Sequence, residues 1–224
     1  MNEQLGQLER LGKLKRFFSP QLAEAIVAGG ADDPLRSHSP RARSGFSRFA
    51  RLYAFAETAE PEEVMRVLRE YHAAMGKLIL AHEGTLERFT GVGVMIFFND
   101  PVMVPNPAER ALRMTLAMRE KIAETGGAWR SRGYDLGISI SIVQGFATIG
   151  AIGFEGRLDY GAIGSVTNLA ARLCGEAEGG QILTNQRTLS EIDTWVEAEP
   201  VGVLMLKGFA RPVAAFNVVG LRRR

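Results

Sequence analysis

The stretch Asp159-Tyr160-Gly161-Ala162-Ile163-Gly164-Ser165-Val166-Thr167-Asn168-Leu169-Ala170-Ala171-Arg172-Leu173 carries the most specific pattern in the chain. It places Asn168 and Arg172 four residues apart, and residues at this spacing share one face of a helix. Small residues precede and separate the pair, so a helix that begins near Gly164 would turn its N-terminal amides and an arginine toward one anion. The pattern predicts a polyphosphate site, although an amphipathic helix with two solvated polar side chains has the same spacing.

Composition describes a globular chain. Its 224 residues, 46% hydrophobic and 23% charged, are enough to bury one large core. A net charge of +2 predicts no basic face for nucleic acid, and Arg222-Arg223-Arg224 is interpreted as a solvated tail. Cys174 is the only cysteine, which excludes an internal disulfide and favours a reducing, cytoplasmic setting. No apolar run is long enough to predict a membrane segment.

Two helices are predicted ahead of the main domain. Leucines recur every three residues between charged residues over 4–18, which is typical of an amphipathic helix. Ser19-Pro20 begins a second helix that runs to about Ala28 and ends at the Gly and Pro residues of 29–34. The predicted organisation is therefore an N-terminal helical segment over 1–37, the main domain over 38–220, and a basic tail over 221–224.

The main domain alternates helices and strands. A long helix is predicted from Glu57 to Ala81, with Pro61 and acidic residues in its first turn and apolar residues at helical spacing. Residues 85–98 predict two strands around a glycine turn, and the following helix runs from Ala108 to about Ala123. Further strands are predicted over 136–147, 181–184, 201–206 and 213–219, with helices at Asn168 and over 188–192. Interleaved helices and antiparallel strands predict an α+β sandwich.

Four motifs, in this order, resemble the catalytic domain of class III adenylyl and guanylyl cyclases. They are Ala54-Phe55-Ala56-Glu57 with Pro61-Glu62-Glu63-Val64, the hairpin from Gly84-Thr85-Leu86 to Phe98, the stretch from Asp159 to Leu173, and Leu206-Lys207-Gly208-Phe209. The resemblance runs from about Phe46 to Val219. The segment from Leu11 to Ser37 is similar to the signalling helix that joins bacterial cyclase domains to an upstream sensor, so a sensor domain is an implied partner.

The resemblance implies a ferredoxin-like βαββαβ-type sandwich that dimerises head to tail. ATP would lie between two chains and be converted to 3',5'-cyclic AMP and pyrophosphate. The resemblance also implies Mg²⁺ or Mn²⁺, because two divalent cations lower the pKa of the attacking ribose hydroxyl and offset phosphate charge. In the family two aspartates bind these ions, one at the end of the first strand and one in the hairpin turn.

The same resemblance assigns roles to five residues of this chain. Asn168 would orient the ribose, Arg172 would stabilise charge on the transferring phosphate, and Lys207 would contact the polyphosphate. Arg88 and Gly161 occupy the two purine-selecting positions. Adenylyl cyclases typically have Lys at the first and guanylyl cyclases Glu, while Asp, Thr or Cys is usual at the second. A cation at Arg88 donates to the N1 edge of adenine and cannot accept from guanine, so ATP is the expected substrate.

Both metal positions depart from the family pattern. The hairpin turn reads Gly91-Val92-Gly93 where the family has Gly-Asp-Gly, and valine cannot bind a metal. Counting back from Ala54-Phe55-Ala56-Glu57, the first-strand aspartate position falls on Arg48, which carries a fixed positive charge. The metal ligands are therefore expected to be absent from this chain. Because burying an unpaired arginine is costly, we expect local disorder or an edge position at Arg48.

Residues 39–53 are unusual for a central strand because they hold four arginines and alternate weakly. Read one base out of frame, residues 43–53 can encode Val-Val-Val-Phe-Leu-Asp-Leu-Arg-Gly-Phe-Thr, which matches the family's first strand. The shifted aspartate falls on position 48. A compensated pair of frameshifts, in the gene or in its sequencing, is our hypothesis for this segment.

These features favour a nucleotide cyclase homology domain of cyclic-nucleotide signalling, a phosphorus–oxygen lyase impaired as written by Arg48 and Val92. The homodimer is expected to be weakly active or inactive. The alternative is a non-catalytic subunit or pseudocyclase that binds nucleotide and forms a heterodimer with an intact cyclase, lending its residues to a partner that supplies both aspartates. A diguanylate cyclase is set aside because its Gly-Gly-Asp/Glu-Glu-Phe turn is missing.

Overall fold

The computed structural model describes residues 19–28, 36, 38, 43–50, 55, 57–90, 92–155 and 157–222, with the backbone alone over 43–50. The helix predicted over 4–18 lies outside the described residues. The helices are α1 (Pro20–Ala28), α2 (Pro61–Ala81), α3 (Pro107–Arg130), α4 (Ser165–Glu176) and α5 (Gln186–Ile192). The strands are β1 (Arg43–Ala50), β2 (Thr85–Thr90), β3 (Gly93–Phe98), β4 (Gly137–Gln144), β5 (Thr148–Phe154), β6 (Arg157–Ile163), β7 (Ile182–Asn185), β8 (Val196–Leu204) and β9 (Val213–Leu221).

Seven strands form one sheet in the order β2-β3-β1-β4-β7-β9-β8, and β5 pairs with β6 in a separate two-stranded sheet. The unit from β1 to β4 has the order β-α-β-β-α-β, and its four strands are antiparallel neighbours. β4 pairs with β7 in parallel. The α+β ferredoxin-like sandwich predicted from the sequence is therefore confirmed.

β1 lies in the middle of the large sheet, so the expected edge position of Arg48 is wrong. The backbone of Arg48 pairs with Gly93 of β3 on one side and with Ser139 of β4 on the other. The physical reason is that β3 and β4 both present a row of backbone donors and acceptors toward the gap between them. Leaving those groups unpaired inside the sheet costs more than seating an atypical sequence there.

The two faces of the sheet carry separate apolar clusters. The first packs α2 and α3 against the sheet and includes Tyr71, Met75, Leu112, Trp129 and Ile140. The second packs α4 against the opposite face, and Leu22 of α1 belongs to it. Members of this cluster used below are Val166, Ala170, Leu173 and Leu206. The single cysteine, Cys174, lies on the buried face of α4.

Two parts of the fold differ from the sequence prediction. α3 continues to Arg130, beyond the end predicted near Ala123, because Trp129 is fully buried and its Nε1 donates to Glu70 of α2 at 2.9 Å. The strands β5 and β6 were not predicted, since glycines at 150, 153 and 161 weaken the strand pattern. β6 supplies the residues that lead into α4, so this hairpin positions the candidate site.

Candidate nucleotide site

Asn168 and Arg172 lie on the exposed face of α4. The opposite face of this helix is buried through Val166, Ala170 and Leu173, and the apolar spacing that fixes the buried face turns both polar residues outward. The structure therefore places the two residues predicted from the sequence on one accessible surface.

Gly164 allows the chain to pass from β6 into α4. A Cβ atom at this position would lie 3.0 Å from the carbonyl oxygen of Phe146 and 3.3 Å from the Cα of Ala147. Both contacts are with backbone, which cannot move aside as a side chain can. Thr167 then donates its hydroxyl to the Gly164 carbonyl at 2.8 Å, which fastens the first turn of the helix.

Lys207 stands on the loop between β8 and β9, beside the cluster that anchors α4. Leu206 is buried in that cluster, whereas Lys207 is exposed. Phe209 donates its backbone N–H to the Leu206 carbonyl at 3.0 Å, and Gly208 adopts φ +88°, a left-handed conformation that glycine tolerates best. This tight turn presents the lysine at the surface.

Arg88 and Gly161 are neighbours in the structure. A Cβ atom built on Gly161 would lie 3.1 Å from Nη2 of Arg88, although the two residues belong to different sheets. The two positions that the resemblance assigns to purine selection are thus adjacent in space. Through β6, Gly164 and α4, Gly161 is also continuous with the helix that carries Asn168.

Sequence reasoning missed Glu87, which links these two positions. Its side chain is only 2% exposed, and its Oε1 accepts from Nη2 and Nε of Arg88 at 2.6 and 3.1 Å. The same oxygen accepts from the backbone N–H of Ala162 at 3.3 Å. An acidic residue in a hairpin strand ordinarily predicts solvent exposure, so the sequence contained no signal for this role.

The residues at the two predicted metal positions do not fit a divalent cation. Arg48 pairs with Gly93, the residue after Val92, so the two positions are close in the backbone. Val92 is half-buried and packs against the first apolar cluster. Neither an aliphatic side chain nor a guanidinium is an oxygen ligand. Within the described ranges, no three His, Cys, Asp or Glu residues are grouped so as to hold a metal.

A second buried network, centred on Asp100, also escaped the sequence analysis. Asp100 is 3% exposed and accepts from the hydroxyl of Tyr160 and from Nε2 of His38. Its backbone carbonyl accepts from Oγ1 of Thr85 at 2.6 Å. Burial is the main cause that raises the pKa of Tyr160, and Asp100 raises it further, so the phenol stays protonated as a donor. The network fastens β6, one residue before Gly161, to the end of β3.

His38 attaches the segment before β1 to this network. Its backbone exchanges two hydrogen bonds with Ile149 of β5, at 2.9 and 2.7 Å. The Arg36 carbonyl accepts from Nδ1 at 2.9 Å and is the largest cause that raises the pKa of His38, and the Asp100 carboxylate adds to it. Because both ring nitrogens face acceptors, the protonated imidazolium satisfies both.

Comparison with known proteins identifies the family. Residues 45–219 match the Adenylate and Guanylate cyclase catalytic domain. The chain is 32% identical over 181 residues to adenylate cyclase 1 of Rhizobium meliloti (strain 1021) and 27% identical over 185 residues to the adenylate cyclase of Anabaena cylindrica. Both alignments cover 78% of this chain, but only 27% and 34% of the two relatives, so the chain spans about a third of their length or less.

Solved structures agree with this assignment. The adenylyl cyclase CyaB of P. aeruginosa has a TM-score of 0.80 and 34% identity, with 84% of this chain and 98% of that chain covered. The guanylyl cyclase Cya2 has a TM-score of 0.78 and 28% identity, with 84% and 95% covered. The chain belongs to the adenylate and guanylate cyclase catalytic domain family, whose members generally depend on metal ions.

None of the described helices combines the length and apolar character that crossing a bilayer requires.

Proposed function

We propose that this chain binds ATP at a site shared with a second chain and contributes to its conversion to 3',5'-cyclic AMP and pyrophosphate. The observation that carries the proposal is the proximity of Arg88 to Gly161, from which β6 leads directly into the helix that exposes Asn168 and Arg172. These residues therefore lie on two elements that follow each other along the chain, β6 and α4, and on the strand β2 beside β6. A base, a ribose and a phosphate chain can therefore be bound in the order in which a nucleotide presents them.

The proposed roles follow from the donors that each residue offers. Arg88 donates to the purine, Asn168 orients the ribose, and Lys207 pairs with the polyphosphate. Arg172 donates to the α-phosphate as its bond to the leaving pyrophosphate breaks and its bond to the ribose 3'-oxygen forms, a task that suits a planar guanidinium. The exposed positions of Asn168, Arg172 and Lys207 leave all three accessible to a ligand.

The half of the site that binds metal would come from the partner. Val92 and Arg48 provide no ligand, so a homodimer of this chain is expected to be weakly active or inactive. A heterodimer with an intact cyclase would have one complete site, built from the aspartates of the partner and from Arg88, Asn168, Arg172 and Lys207 of this chain.

A pseudocyclase that binds nucleotide but completes no catalytic site is the second candidate function. The packing of Val92 into an apolar cluster favours it, because this position is integrated into the core as a hydrophobic residue. In this role the chain binds nucleotide and dimerises without completing a site. The two functions differ in whether product forms when an intact partner is supplied.

The test is a cyclase assay with Mn²⁺ and ATP on three samples. They are the unaltered chain, the double variant Arg48→Asp with Val92→Asp, and the unaltered chain mixed with a homologue. This homologue keeps both metal-binding aspartates, but its own asparagine and arginine at the positions of Asn168 and Arg172 have been replaced. The homologue is then silent alone, so cyclic AMP in the mixture requires the asparagine and arginine of this chain.

We expect little product from the unaltered chain and product from the mixture. Asn168→Ala or Arg172→Ala in this chain should lower the activity of the mixture by about 100-fold or more, the usual effect of removing a donor to the transition state. Equal activity of the unaltered chain and the double variant would contradict the role given to the metal positions. Absence of product in all samples, with nucleotide still bound, would favour the pseudocyclase that completes no site.

A further inference from the structure

The Glu87 carboxylate is buried directly beneath an exposed arginine. The side chain of Glu87 is 2% exposed, whereas that of Arg88 is 53% exposed. Consecutive residues of a regular strand point to opposite faces. The pairing of β2 with β3 shifts between Leu86 and Arg88, and this bulge lets the Arg88 guanidinium lie over the carboxylate of its neighbour Glu87. One side of the Arg88 guanidinium is therefore exposed to solvent, and the other side faces the Glu87 carboxylate.

One oxygen of Glu87 connects the two sheets of the molecule. Oε1 accepts two hydrogen bonds from Arg88, at 2.6 and 3.1 Å, and one from the backbone N–H of Ala162, at 3.3 Å. β2 is an outer strand of the large sheet, whereas Ala162 belongs to β6 of the small sheet. The carboxylate thus fixes Arg88 relative to the strand that carries Gly161.

The other oxygen of Glu87 makes separation of Arg88 from Glu87 energetically costly. Oε2 is buried and has no hydrogen-bond partner among the described residues. A buried carboxylate is costly unless it is paired. Arg88 is the cation paired with it, so moving the guanidinium away would leave a buried charge uncompensated. This is a strong restraint on a side chain that is half-exposed.

The missing side chain at Gly161 is a condition for the pair. A Cβ atom there would lie 3.0 Å from Oε1 of Glu87 and 3.1 Å from Nη2 of Arg88, closer than ordinary contacts. Any larger residue at this position would push against both groups. Glycine at position 161 of β6 therefore leaves the space in which the Glu87–Arg88 ion pair of β2 lies.

We propose that Glu87 is a positioning residue for base selection, holding Arg88 in the place that a side chain at position 161 would otherwise share. The proposal rests on the purine site of the proposed function. A guanidinium has five N–H groups, and Glu87 engages two of them, so the remaining three can face the purine. Fixed donors match the N1 acceptor of adenine and oppose the N1–H donor of guanine.

Replacing Glu87 by Gln tests the proposal through nucleotide binding. The change keeps the size of the side chain but removes the charge that holds Arg88. We expect the preference for ATP over GTP, measured by equilibrium dialysis with Mn²⁺, to fall about tenfold, since a hydrogen bond to a charged group has roughly this effect. A purely structural role would weaken both nucleotides equally and leave the ratio unchanged.

The matched control is Glu109→Gln. Glu109 also pairs with an arginine, Arg113 at 2.8 Å, but it does so on the surface of α3. This variant removes an ion pair without touching β2 or β6, so the nucleotide ratio should not change. Thermal melting of both variants shows whether each is folded.

Gly161→Ala is a second variant that retains every charge. It places a methyl group against Glu87 and Arg88, so it should also reduce the preference for ATP. If both variants leave the ratio within about twofold of the unaltered chain, the positioning proposal is overturned and the cyclase proposal stands. If the chain binds neither nucleotide, both are overturned. If the ratio falls but no sample makes cyclic AMP, the positioning proposal stands and the cyclase proposal fails.

Discussion

At the scale of single residues, exposure separates what sequence reasoning found from what it missed. Asn168, Arg172 and Lys207 stand out in the sequence because polar residues interrupt small or apolar neighbours, and the structure exposes all three. Glu87 and Asp100 contribute through burial instead. Burial of a carboxylate depends on partners far along the chain, such as Ala162 and Tyr160. A local sequence pattern does not predict these partners.

His38 gives a pH-dependent prediction at this scale. Because its pKa is raised in the folded state, the imidazolium stabilises the fold fully below the unfolded value of about 6.5, and this stabilisation is lost as the pH rises through the folded value. Replacing His38 by Gln should therefore lower the melting temperature more at pH 6 than at pH 8.5. Scanning calorimetry at the two pH values measures the difference.

His82 provides the control for that experiment. Burial, together with Arg110 and Arg113, lowers the pKa of His82, so its protonation opposes folding in acid. His82→Gln should accordingly show no extra loss of stability at pH 6. Equal losses for His38→Gln at both pH values would contradict a charged contact between His38 and Asp100.

At the scale of elements, β1 shows how far backbone pairing can override side-chain pattern. Positions 45, 47 and 49 lie opposite Ile142, Ile140 and Ile138 of β4, and all three isoleucines belong to the first apolar cluster. Cross-strand neighbours share a face of the sheet, so these positions call for apolar residues. The out-of-frame sequence would supply valine, leucine and leucine there.

The register therefore yields a stability prediction. Replacing residues 43–53 by Val-Val-Val-Phe-Leu-Asp-Leu-Arg-Gly-Phe-Thr should raise the free energy of unfolding by several kcal/mol, since burying each large aliphatic side chain contributes about 2 kcal/mol. Urea denaturation measures the change. A control that shuffles the same eleven residues keeps composition but breaks the alternation, and it should gain much less. Equal stability of the replacement and the natural chain would contradict the proposed match to this register.

The gene itself tests the frameshift hypothesis. If the codons for residues 43–53 encode a hydrophobic strand in an alternative frame, the hypothesis is supported. Direct reading of the nucleotide sequence decides this. Codons that encode no such strand in either alternative frame would exclude it.

α3 provides a second prediction at the scale of elements. The buried Trp129 and its hydrogen bond to Glu70 hold the last turns of the helix against α2. Trp129→Phe removes the donor and leaves a small gap, so we expect a loss of about 1–3 kcal/mol in the free energy of unfolding. Amide hydrogen exchange should rise near Arg130 and remain unchanged in β9. A uniform rise across the domain would contradict a local anchor.

At the scale of the whole molecule, the order of helices and strands was more predictable from the sequence than the contacts that join the two sheets. The order of helices and strands from α2 to β4 follows from periodicity and from the glycine turn, and the structure confirms the ferredoxin-like sandwich that the resemblance implied. The attachment of the small sheet to the large one was not predictable. It depends on Asp100, Tyr160 and Glu87, whose partners lie about 60 to 75 residues away along the chain.

The proposed heterodimer leads to a prediction about stoichiometry. If this chain completes one site with an intact partner, titrating it into a fixed amount of the silenced homologue should raise cyclic AMP output until the two are equimolar. Output should then plateau, because the fixed amount of homologue is saturated. Product that keeps rising well beyond equimolarity would contradict a one-to-one complex.

The central place of β1 has a consequence for the history of such a chain. Its position is fixed by the backbones of β3 and β4, which offer the same hydrogen bonds to almost any sequence. A lineage can therefore lose the chemistry encoded in this strand without losing the architecture around it. Proteins encoded by such genes would still fold and could bind active enzymes. Selection would then act on their ability to associate rather than to catalyse.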